Sequence, residues 1–385
     1  MTMVACRILL TAVLMLFRIY STSMVTAAQP SQAGQNPEAQ NNAPRVENAK
    51  VETRSVAGRL AATFTNAEKN AVGATWIGYS VKAVAGQRTV CCGNYSDGNG
   101  ERCAKCELER NQDHSSDGKV HGGTSSGTVK LEGGEQLTVL FRLQSKRVTR
   151  ISMASEDCVL DAGGLPLIWL EDVKPAESVA LLTGYVRADN TGEREKGSIS
   201  NEALSAIALH DGHAAEVALE SFVVPGRPEE LRKQASFWMG AARGTEGFAV
   251  LQRMAKSDPS TEVRAHVAFA LSITKESGAL EEMIRMAHED ASGHVRGQAI
   301  FWLAQKAGKR AVGAIDSAIE NDPDTDVKKQ AVFALSQLPK DEGVPKLIQV
   351  AETNHNPVVR KQAMFWLGQS QDVRALEFFE KVLTQ

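Results

Sequence analysis

Five of the six cysteines lie within one stretch of the N-terminal half, and they carry the clearest potential for chemistry in this sequence. Four of them fall in the segment 91–129, which is polar, rich in glycine and serine, and too long for a simple hairpin turn. Grouped thiols form disulfides in an oxidising compartment, whereas in a reducing one they bind metal or act catalytically. The disulfide candidates are Cys91, Cys92, Cys103, Cys106 and Cys158.

Disulfides are the first interpretation of this group, with one or two bridges bracing the loop. The pairing stays open, because spacing alone does not define which cysteines are joined. A bond between the adjacent Cys91 and Cys92 is disfavoured by the geometry that a disulfide requires.

A zinc site is the alternative interpretation of the same loop. Cys103 and Cys106 are separated by two residues, which is the spacing of half a tetrahedral zinc site. A redox pair at these two cysteines would need a preceding strand, and the flanking sequence lacks one. The remaining zinc ligands would come from Cys91, Cys92, His114 and His121.

Two smaller groups of polar residues have ordinary structural explanations. His210 and His213 would share one face of a helix and could bind metal, but Gly212 between them favours a solvated turn. Asp157 and Asp161 could serve acid–base chemistry or bind calcium, but glycines follow them and such residues commonly form turns. The sequence also lacks a nucleophile elbow, a phosphate loop and a dinucleotide fingerprint. We therefore predict no catalytic centre, no cofactor and no enzymatic activity.

The composition is that of a globular protein with a near-neutral surface. The chain has 385 residues, of which 43% are hydrophobic and 23% charged, with a formal net charge of −3. These values exclude a wholly disordered chain and predict no nucleic-acid partner.

The first residues have the order of a secretory signal peptide. Arg7 precedes the apolar run 8–17, and small residues at 26–28 offer a cleavage site. Arg18, directly after the run, leaves an uncleaved anchor open as the alternative. We predict an exported protein, periplasmic or secreted, with no membrane span in the mature chain.

Composition shifts divide the chain into four predicted parts. Segment 51–195 contains runs of β-branched and aromatic residues with partial alternation, which predict strands at 75–84, 127–131, 136–143 and 148–153. We therefore expect a small strand-rich α+β domain with a helix at each end. The predicted parts are a signal peptide over 1–28, a disordered linker over 29–50, the cysteine-containing domain over 51–195 and a repeat array over 200–385.

The repeat array has a period of 32 residues. Apolar residues recur at helical spacing twice in each unit, so each unit is predicted to form two helices. Such periods are typical of solenoids, and we predict an α-solenoid of about six two-helix units. The phenylalanines that mark the period are Phe237, Phe269, Phe301, Phe333 and Phe365.

A second ladder, of aspartate and a basic residue six positions later, follows the same period. Together with the Val-Arg-x-x-Ala helix start, it makes these units resemble the HEAT-like repeats of phycobilisome lyases. The resemblance implies an ion-pair ladder that joins adjacent repeats and has a structural role. Its members here are Asp258, Arg264, Asp290, Arg296, Asp322, Lys328 and Arg360.

Deoxyhypusine hydroxylase, a branch of the same family, binds iron through paired His-Glu dipeptides. In this chain the dipeptide occurs at His288 and Glu289 without a symmetric partner, which argues against a metal site.

The phenylalanine ladder leaves two interpretations open. The rings pack between repeats, or they form a partly exposed aromatic stripe that binds a partner. The following position alternates Trp238, Ala270 and Trp302 along the array, as large and small residues do in interdigitating cores.

We predict a scaffold that binds another protein on its repeat surface, with end-to-end assembly of the chain as an open alternative. We expect the second helices to form a concave groove that binds the partner. Its candidate contact residues, at outward positions of successive units, are Arg253, Arg285 and Lys346.

Overall fold

The computed structural model describes residues 44–86, 89–91, 94–96, 105–109, 135–156, 158–186 and 199–384. The predicted signal peptide, most of the predicted linker, and the predicted strand at 127–131 lie outside these ranges. The described residues belong to one compact unit. Within the described residues, none of the helices combines the length and apolar character needed to cross a bilayer.

The N-terminal part is rich in β-strands, as predicted. Three of the predicted strands, at 75–84, 136–143 and 148–153, are found, and the structure gives their bounds as Thr75–Lys82, Gln136–Gln144 and Arg147–Ser155. The short or less regular strands were not predicted. The strands are β1 (Val46–Glu47), β2 (Val51–Ser55), β3 (Thr75–Lys82), β4 (Thr89–Cys91), β5 (Asn94–Ser96), β6 (Lys105–Glu107), β7 (Gln136–Gln144), β8 (Arg147–Ser155), β9 (Val159–Asp161) and β10 (Leu167–Glu171).

In the described part of the chain, five strands form a mixed sheet in the order β2-β10-β3-β7-β8. Strands β3 and β7 are antiparallel from the pair Thr75 and Leu143 to the pair Lys82 and Gln136. Side chains alternate between the two faces because successive residues of a strand point in opposite directions. Ile77 and Tyr79 enter the main core on one face, and Trp76 enters a smaller core on the other.

Three helices cover the face of the sheet that carries the main core. These helices are α1 (Leu60–Asn70), α2 (Pro175–Thr183) and α3 (Ile199–Leu209). The opposite face packs against a small parallel sheet of β1, β9 and β6. Gly78 permits close packing there, since a Cβ atom at this position would lie 2.7 Å from Leu140 Cδ2.

The rest of the described chain forms six helix pairs, which confirms the predicted solenoid. Helix α3 begins the first pair and therefore belongs to both the sheet layer and the array. The other helices are α4 (His213–Phe222), α5 (Glu229–Ala242), α6 (Gly244–Ser257), α7 (Thr261–Ile273), α8 (Ala279–Glu289), α9 (Gly293–Ala307), α10 (Val312–Asn321), α11 (Thr325–Ser336), α12 (Lys340–Thr353), α13 (Pro357–Gln369) and α14 (Val373–Leu383), with a 3₁₀ turn at Gly308–Ala311.

Two of the second helices, α6 and α12, pack closely on their first helices at a buried glycine. A Cβ at Gly247 would lie 2.1 Å from the Met239 carbonyl oxygen, and one at Gly343 would lie 2.3 Å from that of Leu335. A larger side chain would push the two helices apart. The six residues at this place in the 32-residue period are Ala215, Gly247, Ala279, Ala311, Gly343 and Ala375.

The two helix layers of the array differ in how closely they pack. Neighbouring first helices, from α5 to α13, contact one another extensively, whereas neighbouring second helices contact one another little. Gly240 of α5 lies directly against the backbone of Ala270 in α7. The first helices therefore form the more closely packed of the two layers, and the expected groove of second helices stays a prediction.

Candidate aromatic binding surface

A continuous row of aromatic rings runs along the solvent-facing side of the first helices. We call it the aromatic row. Four of its phenylalanines are half-buried, and Phe365 is 54% exposed. Its members are Phe237, Phe269, Phe301, Phe333, Phe365, Trp238, Trp302 and Trp366.

The rings contact one another from repeat to repeat with an alternating geometry. Phe301 and Phe333 stack with centroids 5.9 Å apart and an interplanar angle of 4°. Phe333 then meets Trp366 at 4.8 Å and 38°. Phe237 stacks on Phe269 at 6.0 Å, and Phe269 meets Trp302 at 4.7 Å and 44°. The geometry therefore repeats every two units.

The alternation of tryptophan and alanine explains this pattern. Ala270 and Ala334 are fully buried, whereas the tryptophans at the same position in alternate repeats are half-buried and pack against the main core. Each tryptophan also packs on its own repeat's phenylalanine, as Trp302 does on Phe301 at 4.9 Å. The phenylalanines themselves contact the tryptophans and remain partly open to solvent.

An open cavity of about 500 Å³ adjoins the last tilted pair of the row. We call it the anchor pocket. Asp326 and Lys329 at its rim form an ion pair of 2.8 Å, so the rim carries no net charge. Indole Nε1 of Trp366 is buried and has no hydrogen-bond partner among the described residues. The pocket is lined by Asp326, Lys329, Gln330, Phe333, Gln362 and Trp366.

The aspartate–arginine ladder lies at the junctions between repeats. Arg264 donates from Nε to Asp290 Oδ2 at 2.8 Å and from Nη2 to Oδ1 at 3.0 Å. Arg296 binds Asp322 in the same bidentate way at 2.7 and 2.9 Å. Each arginine thus binds the carboxylate of the next repeat. The aspartate six positions earlier contributes its carbonyl oxygen, as Asp258 does to Arg264 at 2.8 Å.

These contacts hold the carboxylates ionised. Hydrogen bonds and attraction from Arg264 lower the pKa of Asp290 although burial acts in the opposite direction. The last two members of the ladder differ in part from the earlier ones. Lys328 donates to the Glu320 carbonyl oxygen, whereas Arg360 keeps the carbonyl contact and donates to Asn354, which stands where earlier repeats have an aspartate.

Ion pairs also form between side chains on the second helices. They include the residues expected to face a groove. Arg253 pairs with Glu220 at 3.2 Å, and Lys346 pairs with Asp316 at 2.6 Å. Arg285 is bound to Glu282 of its own helix. These three cations therefore already have carboxylate partners.

Only part of the cysteine group lies in the described chain. Cys106, in β6, and Cys158, beside β9, are both buried and both disulfide-bonded. Cys91 ends β4. The other zinc candidates, Cys92, Cys103, His114 and His121, lie outside the described residues. Among the residues that are described, no three metal-ligating side chains come together.

The histidine turn differs from the expectation. His213 is exposed, but His210 is fully buried and is not part of a solvated turn. Its ring lies between Ser178 and the Ala206 carbonyl oxygen, at 2.7 Å from each. Asp211 and Gly212 predicted the turn correctly. The burial of His210 was not predicted, because the sheet domain that covers it is remote in sequence.

A polar cluster that sequence reasoning missed lies on the sheet. The carboxylate of Glu109 accepts from Trp76 Nε1 at 2.8 Å and from Arg142 Nε at 2.9 Å. Arg150 lies over the Trp76 ring at 5.0 Å. These contacts lower the pKa of Glu109 against the opposing effect of burial. Residues so distant in the chain give no spacing signal.

Paired helices of fixed period, joined by a ladder of ion pairs, define an α-solenoid in the C-terminal half. A family model described as HEAT repeats matches residues 218–304 and 314–385. This part of the chain is therefore built of HEAT repeats, as the resemblance predicted. The N-terminal domain remains unassigned to a family. No curated protein matches the chain.

Three solved structures with a similar arrangement are 14–20% identical in sequence to this chain. The complex of CpcE and CpcF of phycocyanin lyase from Nostoc sp. PCC7120 is 20% identical, with a TM-score of 0.31, over 40% of this chain and 98% of that chain. Human deoxyhypusine hydroxylase in complex with glycerol is 14% identical, with a TM-score of 0.29, over 54% and 90%. The karyopherin Kap121p bound to the extreme C-terminus of the phosphatase Cdc14p is 14% identical, with a TM-score of 0.34, over 49% and 23%.

Proposed function

We propose that this chain is an exported, non-enzymatic scaffold that binds a partner protein on the aromatic row. The observation that carries the proposal is the row itself, which stays partly open to solvent over five repeats and ends beside the anchor pocket. Aromatic side chains dominate the energetics of protein interfaces, and a partly exposed apolar surface of this extent is typical of a binding site.

Export is supported by the signal-like residues at the start of the sequence and by the two disulfide-bonded cysteines, Cys106 and Cys158. A binding role is supported by the placement of the groups that could do chemistry. Ser178 and His210 are hydrogen-bonded like a nucleophile and its base, but both are fully buried and out of reach of a substrate.

A photo-crosslinking experiment tests the proposed surface. We would place benzoylphenylalanine at Phe365 on the first helices and, as the control, at Val217, which is 53% exposed on the second helix α4. Each variant is expressed in its native compartment, irradiated, and analysed by mass spectrometry. We expect one defined protein to be crosslinked from Phe365 and not from Val217.

The double substitution Phe301→Ser and Phe333→Ser is expected to abolish that crosslink while the first helices stay folded, as judged by circular dichroism. Crosslinking from Val217 alone would overturn the proposal, because the partner would then occupy the second helices. Loss of thermal stability with unchanged crosslinking would assign the phenylalanines to packing.

A further inference from the structure

The last described helix pair exposes a face that is covered in the earlier pairs. There the next first helix packs on it, and Ile300 of α9 and Val332 of α11 are fully buried. Met364 stands at the same position of α13 and is only half-buried. Helix α14 extends the exposed surface with two leucines. We call this surface the end face, and its members are Arg360, Met364, Phe365, Gly368, Leu376 and Leu383.

Arg360 on the end face is held in the same way as the ladder arginines. Its Nη1 donates to the Asn354 carbonyl oxygen at 2.7 Å, as Nη1 of Arg264 donates to that of Asp258 at 2.8 Å. In Arg264 the edge formed by Nε and Nη2 binds the carboxylate of Asp290 in the next repeat. Among the residues that the structure describes, the same edge of Arg360 has no partner. A guanidinium fixed in this way presents a ready bidentate site for a carboxylate.

Gly368 marks where a helix backbone can approach the end face closely. Gly240, four repeats earlier, occupies the same position. A Cβ at Gly240 would lie 2.3 Å from the carbonyl oxygen of Ala270 in the next first helix. A Cβ at Gly368 would have no atom of another element within 4 Å. The position that Ala270 takes against Gly240 is therefore open against Gly368.

Phe365 indicates which of the two alternating repeat types fits the end face. Phenylalanines stack in pairs along the row, Phe237 on Phe269 at 6.0 Å and Phe301 on Phe333 at 5.9 Å. In both pairs the second phenylalanine is followed by a buried alanine. Phe365 comes next in this alternation, and within the described part of the chain it stacks on no further phenylalanine. The matching helix therefore presents an aromatic residue followed by a small one.

The array itself shows what kind of helix covers such a face. The covering helix begins three residues after an aspartate, as α7 does after Asp258 and α11 does after Asp322. The backbone amide two residues after the aspartate donates to Oδ1, as Ser260 N does at 2.9 Å, and so fixes the carboxylate. The phenylalanine is the eleventh residue after the aspartate, and the alanine is the twelfth.

A second copy of this chain has no free helix of this kind among its described residues. The aspartates at the helix starts, Asp258, Asp290 and Asp322, are bound by the arginines of their own ladder. At the other end of the array, helix α3 packs on helix α2 and strand β8 of the sheet domain. The end face is therefore matched to a helix from a different protein.

We propose that the end face is the docking site for an amphipathic helix of a partner protein. The helix starts three residues after an aspartate, with an aromatic residue at the eleventh position after that aspartate and a small residue at the twelfth. The aspartate binds Arg360, the aromatic ring stacks on Phe365, and the small residue lies against Gly368. The inference does not depend on the proposed function, because Arg360 and Gly368 lie outside the aromatic row.

The test measures binding of a fluorescein-labelled peptide to the full chain by fluorescence anisotropy. The peptide has the sequence of residues 258–289, so it carries Asp258, Phe269 and Ala270 at the required spacing. We expect Asp258→Asn in the peptide, or Arg360→Gln in the chain, to weaken binding by at least about tenfold, the effect of a charge-assisted bond. Combined, the two substitutions should cost no more than either alone, since both remove the same interaction.

Gly368→Leu is the steric test of the same site. A side chain there meets no other element of the described chain, so the variant should fold normally, as judged by circular dichroism. The leucine would occupy the place of the docked backbone, and we expect peptide binding to be lost. Gly313→Leu is the matched control, because Gly313 is an exposed glycine of helix α10 whose Cβ would likewise have no atom within 4 Å. It should bind the peptide as the natural chain does.

Absence of peptide binding, or binding that survives Gly368→Leu, would overturn the inference. Concentration-dependent self-association that Gly368→Leu removes, measured by analytical ultracentrifugation, would assign the end face to a second copy and overturn it as well.

The crosslink from Phe365 separates this inference from the proposed function. A crosslink that is lost with Gly368→Leu but kept with the double substitution Phe301→Ser and Phe333→Ser would support the end face and overturn the row. The reverse pattern, together with absence of peptide binding, would leave the proposed function standing and remove the inference.

Discussion

Ser178 lies 2.7 Å from Nε2 of His210, and neither side chain is exposed to solvent. The Ala206 carbonyl can only accept, so His210 donates to it from Nδ1 and accepts from Ser178 at Nε2. Tyr79 in turn donates to Ser178 at 2.8 Å. This chain of bonds links strand β3, helix α2 and helix α3, so it joins the sheet domain to the first repeat.

The His210 ring should make stability depend on pH in the acid range. Burial lowers the pKa of His210 from 6.5 to about 4, so the unfolded chain binds a proton between these values while the folded chain does not. This contribution to the free energy of unfolding therefore falls as pH falls from 6.5 to 4. His210→Gln should lack this slope, which urea titrations across the range would reveal. An unchanged slope in the variant would contradict the assignment.

Ser178→Ala should destabilise the protein more than Tyr79→Phe does. The first substitution leaves both His210 Nε2 and the Tyr79 hydroxyl buried without a partner, at a cost of about 2–5 kcal/mol. The second removes one hydroxyl and leaves one acceptor site of Ser178 empty, at a cost of about 1 kcal/mol. Chemical denaturation of the two variants at neutral pH measures the difference. Equal losses would show that the bond between Ser178 and His210 contributes little.

Glu202 should make stability depend on pH in the direction opposite to that of His210. It lies in the first turn of α3, where its carboxyl group accepts a hydrogen bond from Ile151 N of the edge strand β8 at 2.9 Å. Burial raises the pKa of Glu202 from 4.5 to about 7, so the folded chain holds a proton that the unfolded chain has released. Its contribution is complete below pH 4.5 and is lost as pH rises to about 7.

Glu202→Gln keeps an acceptor for Ile151 N and removes the titration. Relative to the natural chain, the variant should therefore gain stability as pH rises from 4.5 to 7. The measurement is the free energy of unfolding of the variant minus that of the natural chain, taken at both ends of this range. If this difference is the same at both pH values, the raised pKa of Glu202 is contradicted.

The ladder predicts a large effect at Asp290 and a small one at a surface ion pair. Asp290→Ala leaves the Arg264 guanidinium, which is 15% exposed, without its carboxylate, so we expect a loss of about 2–4 kcal/mol. Asp316→Ala breaks a pair with Lys346 in which both side chains are about one-third exposed, so we expect at most about 1 kcal/mol. Thermal unfolding of both variants is the measurement, and similar losses would contradict a structural role for the ladder.

Cys106 and Cys158 should be unreactive to maleimide in folded protein purified from an oxidising compartment. Both are buried and disulfide-bonded, so alkylation should require reductant and denaturant together. Mass spectrometry of the labelled peptides gives the result, and a parallel metal assay tests the zinc alternative for the loop. Labelling without reductant, with stoichiometric zinc, would replace the disulfide interpretation.

The 32-residue recurrence of Phe237 and its equivalents sufficed to predict the solenoid, because each repeat buries its apolar residues against a copy of itself. The same recurrence predicted the ladder residues such as Arg264. The N-terminal domain was predictable only as strand-rich, since strands such as β10 are defined by partners distant in sequence. Tertiary structure alone decided that His210 is buried, that Arg264 binds Asp290 instead of the Asp258 carboxylate, and that the first helices form the closely packed layer. Each depends on packing between elements, and local residue patterns do not encode such distances.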